Sequence, residues 1–228
     1  MIELHHRSYL ELYGSMLDFT YCEFSEFLFT TQPLNTFSSV AFPFVAYFIY
    51  RMVPPSHPRW ALIWPTVPLC ILIGIGSTLW HTYQQRWALA LDVLPIFTFL
   101  FVFQCIFLKK FTSWSRRRIA YDIVGLMVAM GLASRVGNEV FLQKSNAFVP
   151  VALWLIYAGV MVGQRYPRQA RLCFFAALVF ALAILFRIVD MPLCDRWLEG
   201  THFLWHSFSA LTLYIVMRCF KPVRRGNG

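Results

Sequence analysis

Ala61-Leu-Ile-Trp-Pro-Thr-Val-Pro-Leu-Cys70-Ile-Leu-Ile-Gly-Ile-Gly-Ser77-Thr-Leu-Trp-His81 carries no charged side chain until it ends on a histidine. A bilayer core about 30 Å thick needs roughly 20 apolar residues of helix, so this stretch reads as a membrane span. The rest of the chain agrees. Of its 228 residues 58% are hydrophobic and 14% charged, where a soluble domain carries roughly 25% charged residues. Mean hydropathy is +0.56. Seven segments qualify as spans: Leu34–Tyr50, Ala61–Trp80, Trp87–Leu108, Ile119–Val136, Ala147–Val162, Leu172–Val189 and Phe203–Phe220. The expected class is all-α, a polytopic seven-transmembrane bundle. Pro43, Pro65, Pro68 and Pro95 lie in or near spans, as membrane helices allow when neighbours satisfy the freed carbonyls.

Charge asymmetry orients the bundle. Arg51, Arg59, Lys109, Lys110, Arg116, Arg117, Arg118, Arg165, Arg168 and Arg171, with the basic tail, fall in loops on one side. That side is cytoplasmic by the positive-inside rule, which puts the N-terminus outside. Most acidic residues lie on the outward side, among them Asp18, Glu23, Asp195 and Glu199. Residues 1–33 are expected to form an extracytoplasmic head, 34–220 the membrane domain and 221–228 a cytoplasmic tail. Met1–Gln32 lacks the basic start and apolar core of a cleavable signal. The net charge of +9 lies in anchoring loops rather than on an amphipathic stripe, which excludes nucleic acid as a partner. The compact chain and short tail favour a bacterial inner membrane over the endoplasmic reticulum or Golgi.

This orientation gives the ionisable residues a depth. His81 ends the second span at its outer side, Asp92 lies in the first two turns of the third, and His202 and His206 lie in the first two turns of the seventh. All four reach the outer third of the membrane, where a buried ionisable group is by default a sign of function. His202 and His206 are four apart and share a helix face, as do Ser77 and His81.

Three imidazoles with one open position suit a catalytic zinc. Bound zinc lowers the pKa of its water to about 7 and polarises a carbonyl. Asp92 then either passes a proton or orients a ligand imidazole from behind, and Ser77 donates to the oxygen that gains charge. Two other readings stay open at this point. In one, the histidines hydrogen-bond between helices and Asp92 pairs with Arg187. In the other a haem is held, although adjacent turns of one helix cannot supply both axial ligands.

At these residues the chain resembles the alkaline ceramidase family, seven-helix membrane hydrolases related to the adiponectin receptors. The matching blocks are Asp18 with Tyr21-Cys22-Glu23, Gln32-Pro-Leu-Asn35-Thr-Phe-Ser38-Ser39, Gly74-Ile-Gly76-Ser77-Thr-Leu-Trp-His81, Leu91-Asp92-Val-Leu-Pro95 and His202-Phe-Leu-Trp-His206. The resemblance implies zinc on His81, His202 and His206, catalytic roles for Ser77 and Asp92, and hydrolysis of the amide of a ceramide-like lipid. It also implies a calcium site drawing on Asp18, Glu23, Ser25 and Gln32. Gln32 stands where the family usually has Glu, and a hard cation prefers carboxylate oxygens. A Cys22–Cys194 disulfide across the outward side is implied as well. The stretch Asn35 to Ser38 is either a helix face near the active site or a contact of small polar residues. Rival functions are a zinc-containing receptor without catalysis, and a transporter with a relay through Asp92, Arg187 and Asp190.

Overall fold

The computed structural model describes residues 21–25, 29–53, 55–58, 60–136 and 145–222. Within these the secondary structure is helical throughout: α1 Pro33–Ser38, α2 Ala41–Met52, α3 Trp60–Ile63, α4 Thr66–Tyr83, α5 Arg86–Phe111, α6 Arg116–Ala133, α7 Val149–Val162, α8 Pro167–Ile188 and α9 His202–Met217. Short 3-10 turns at Ser145–Phe148, Met191–Leu193 and Arg218–Phe220 extend or link them. Only fragments of the expected head and tail fall among the described residues; Asp18 lies outside them.

Five helical stretches are long and apolar enough to cross a membrane: Trp60–Tyr83, Arg86–Phe111, Ser145–Val162, Pro167–Ile188 and His202–Phe220. Seven segments were expected, and the other two differ for physical reasons. The first is broken into α1 and α2 at Ser39 and Val40. Pro43 has no N–H to donate to the Ser39 carbonyl, which instead accepts from Phe42 N at 3.2 Å. Meanwhile Ser38 and Ser39 both turn their hydroxyls back onto the Asn35 carbonyl at 2.9 Å, competing with the regular ladder. In α6, Arg116, Arg117 and Arg118 fill the first turn and Asp122 follows, so its hydropathy falls although its length suffices. The Ser115 hydroxyl caps that helix by accepting from Arg118 N.

Long apolar side chains such as Leu94, Val128, Leu153, Val160, Leu178 and Leu185 are exposed on the outside of the bundle. Helices apolar all round belong in a membrane or in the centre of a larger fold. The inner half of the bundle is filled by aromatic rings: Phe103 meets Phe99, Phe107, Trp154 and Phe220 with centroids 5.6–6.4 Å apart.

Two glycines position the functional end. Gln84, at φ 49°, turns the chain out of α4, and Gln85 leads directly into α5, so the two helices run antiparallel as neighbours. A Cβ on Gly76 would overlap the Leu91 carbonyl; its absence lets α5 lie against α4 and brings Asp92 beside Ser77. Gly74, two residues earlier and therefore on the other side of the helix, meets the other partner. A Cβ there would come within 2.5 Å of Pro43 Cδ and 3.1 Å of the Ser39 carbonyl. The glycine pair thus clamps α4 between α5 and the α1–α2 break.

Candidate metal centre

His81 stands in the last turn of α4, His202 opens α9 and His206 follows one turn later. All three are buried. Their ring centroids lie 4.8–5.2 Å apart, and one nitrogen from each falls within 4.8 Å of the others, a group that could hold a metal ion. The expectation that separate segments converge here is met.

The hydrogen bonds behind two of the rings decide what the front can do. His81 Nδ1 lies 2.5 Å from Gln32 Oε1, an amide oxygen that can only accept. The proton of His81 is therefore on Nδ1. His206 Nδ1 lies 2.7 Å from Ser38 Oγ, a hydroxyl that also lies 2.9 Å from the Asn35 carbonyl. His81 Nε2, left with its lone pair, faces His206 Nε2 at 3.2 Å. Tetrahedral zinc with nitrogen bonds of about 2.0–2.1 Å would set adjacent ligands roughly 3.3 Å apart, so the spacing of this pair fits the ion.

His202 is fixed by its backbone. Asp190 Oδ1 accepts from Thr201 N at 2.7 Å and His202 N at 2.9 Å, and Oδ2 accepts from Cys22 N at 3.0 Å. One carboxylate thus caps the free N–H groups that start α9 and ties down the segment at Cys22. Burial raises the Asp190 carboxyl above the usual range, while these donors and Arg187 pull it back. Gly200, at φ 63°, makes this possible: a side chain there would collide with Asp190 Oδ1 and Cys22. Cys22 and Cys194 are joined in a disulfide, with Cα atoms 5.3 Å apart. Tyr21, next to that bridge, packs its ring at a tilt against His202, centroids 4.0 Å apart, and accepts from Trp80 Nε1 at 3.4 Å. His202 Nδ1 is buried with no hydrogen-bond partner.

Replacing Asp190 by Ala leaves three N–H groups unpaired, each costing about 1–3 kcal/mol when buried. The expected result is a melting temperature lower by several degrees and weaker metal retention, read by thermal unfolding in detergent with and without added zinc.

In front of His202 and His206 lies a cavity of about 210 Å³. Ser77, Asp92, Arg187, His202 and His206 line it, with Tyr21, Phe97 and Trp205. Ser77 Oγ is 3.4 Å from His206 Nε2 and 2.9 Å from Ser39 Oγ. Asp92 is on the wall but outside the group of ligand atoms. Arg187 lies over the rings of Trp205 and Phe148, at 5.0 and 5.7 Å; among the described residues it makes no ion pair with Asp92. An apolar pocket continues from this cavity toward the middle of the bundle, sharing Phe42, Ile73, Ile96, Phe148 and Trp205.

With this geometry in view, the comparison with known families is decisive. The model of the family described as Ceramidase matches residues 15–227. The chain belongs to the Ceramidase family. Membership implies a hydrolase acting on amides and a lipid substrate of the ceramide kind. A search of curated proteins finds no match. In this Ceramidase-family chain the residues of the implied calcium set have other partners. Glu23 takes Asn35 N on Oε2 at 2.8 Å and Leu34 N on Oε1 at 2.5 Å, and burial raises its carboxyl despite those donors. Gln32 serves His81, Ser25 N donates to the Thr31 carbonyl at 2.8 Å, and Asp18 is outside the described residues.

Three functional residues were not legible as such: Asp190 as the clamp of α9, and Gln32 and Ser38 as partners of the imidazoles. Groups behind a ligand orient it and fix its tautomer, and losing one typically costs 10–100-fold in metal affinity. Gln32→Leu is therefore expected to weaken zinc binding by about that factor, with turnover restored by excess zinc. A competition titration with a chelator checks this.

Proposed function

We propose that this chain is a seven-helix, zinc-dependent membrane amidase, N-terminus outside and C-terminus in the cytoplasm, that cleaves ceramide-like N-acyl lipids to a fatty acid and a sphingoid base. A bacterial inner membrane is its proposed location. The observation that carries the reading is the convergence of one nitrogen each from His81, His202 and His206 within 4.8 Å of one another, beside a cavity whose wall, with His202 and His206, also holds a hydroxyl and a carboxylate.

Zinc held by His81, His202 and His206 would supply a Lewis acid and a water of lowered pKa. The chain supplies the rest. Asp92 on the cavity wall accepts the proton of the attacking water and delivers it to the leaving amine. Ser77, one turn from His81, donates to the carbonyl oxygen as it gains charge. Ser39 and the Gly74 contact hold Ser77 in place. Trp205 and Phe148 wall the reacting centre from bulk water, and the apolar pocket beyond them takes the acyl chain. The amphiphile enters sideways from the outer leaflet. Calcium has no assigned step; each Glu23 oxygen already accepts one backbone N–H.

The test is release of fatty acid from a panel of N-acyl lipids by purified protein, before and after chelation and after zinc is returned. Turnover that follows the metal supports the reading. Full turnover in metal-free protein contradicts it, and so does a metal-loaded protein that cleaves none of the lipids.

A further inference from the structure

The apolar pocket beyond the metal cavity holds two polar atoms that the fold leaves without partners. Gln104 Oε1 and Ser209 Oγ are both buried and unsatisfied, on side chains 1% and 7% exposed. Both residues line that pocket. A membrane interior offers no compensation for such atoms, and each specific case calls for a cause.

Neither residue is idle by default. Polar residues of α9 normally bond back along the helix: Ser207 donates to the Phe203 carbonyl at 3.1 Å and Thr212 to the Phe208 carbonyl at 2.8 Å. Ser209 does neither, and its hydroxyl remains free at the pocket wall. Gln104 is oriented. Its Nε2 donates to Asp122 Oδ1 at 2.6 Å, and the same oxygen also accepts from Trp154 Nε1 at 2.8 Å. With the NH₂ end anchored, the amide oxygen is left as an acceptor awaiting a donor.

The two atoms lie at different depths. Ser209 is three residues past His206 on α9, about 4.5 Å further along the axis; Gln104 is twelve past Asp92 on α5, about 18 Å. One is thus close to the reacting centre and the other near the far end of an acyl chain.

We propose that this pocket recognises a hydroxylated acyl chain, whose hydroxyl bonds either to Ser209 near the carbonyl or to Gln104 near the chain terminus. This rests on the amidase reading for its substrate, yet the pocket can be tested apart from catalysis. A plain saturated chain would leave both atoms unsatisfied, whereas a hydroxyl supplies a donor for Gln104 and either role for Ser209.

The experiment compares three N-acyl lipids of equal length: unsubstituted, β-hydroxy and ω-hydroxy. In parallel, the three corresponding free fatty acids are titrated against metal-free and zinc-loaded protein. Binding is followed by tryptophan fluorescence, because Trp154 and Trp205 line the pocket. One hydroxylated form is expected to bind and turn over about tenfold better than the plain one, the usual value of one hydrogen bond. Ser209→Ala should bring the β-hydroxy ratio to about one, or Gln104→Met the ω-hydroxy ratio, according to which station is used. Thermal unfolding of each variant checks that it is folded. Equal or better handling of the plain chain, in binding and in turnover, overturns the proposal and assigns both atoms to water. A preference that survives both substitutions overturns it too. Failure to cleave any of the three lipids would sink the amidase reading, while the binding ratios would still decide the pocket.

Discussion

Substituting Ala for His81 is expected to release the metal and abolish turnover, by at least about a thousandfold, the equivalent of roughly 4 kcal/mol in the barrier. The site has three imidazoles and no fourth protein ligand within the same group among the described residues. Two imidazoles do not make the three-ligand set of a catalytic zinc. The loss also removes the His81 Nδ1 contact of Gln32 Oε1, and with only two ligands left excess zinc should not rescue the variant. That separates it from Gln32→Leu, where the three ligands remain and zinc does rescue. Metal content by mass spectrometry and fatty-acid release are the readouts. A variant with full metal and near-normal turnover would remove His81 from the site.

The second large effect is at Asp92. Asp92→Asn keeps the size and most of the hydrogen-bonding capacity of the side chain but cannot take up a proton. Positioned acid–base groups contribute about 10²–10⁴-fold, and kcat is expected to fall within that range. Zinc content should not change, because Asp92 lies on the cavity wall outside the ligand group. Concerted loss of metal and activity would instead make Asp92 a support of the zinc ligands, the other role the sequence left open. A rise in KM alone, with kcat unchanged, would assign it to substrate binding only.

The helices were legible because they are apolar nearly all round, and no other structure tolerates that in lipid. The two spans that departed from expectation show what apolar count overlooks. Pro43 removes one N–H and splits the first segment, and three arginines with Asp122 dilute α6. The histidines were legible for a different reason. Their helix spacing and a common depth, set by loop charge, brought them to one layer before any contact was known. What stayed hidden depends on close approach between segments distant in sequence. Asp190 caps a helix that begins twelve residues later, and nothing in local spacing links the two. Gln32 was read against a calcium site, whereas its partner is an imidazole on α4. Ser38 was open between two roles; its bond to His206 Nδ1 places it at the site. One signal was present in the opening stretch. Gly74 and Gly76 sit two apart, on opposite sides of a span, which is how a helix admits close neighbours on both flanks.

The central claim, one metal ion gripped by three imidazoles, is tested most directly by metal analysis with X-ray absorption on the purified, unmodified protein. The account predicts one zinc per chain with three nitrogen neighbours at about 2.0–2.1 Å and a further light atom completing a four-coordinate shell. Protein that binds no zinc when the ion is supplied, or whose zinc has sulfur neighbours instead of imidazole nitrogens, would contradict it.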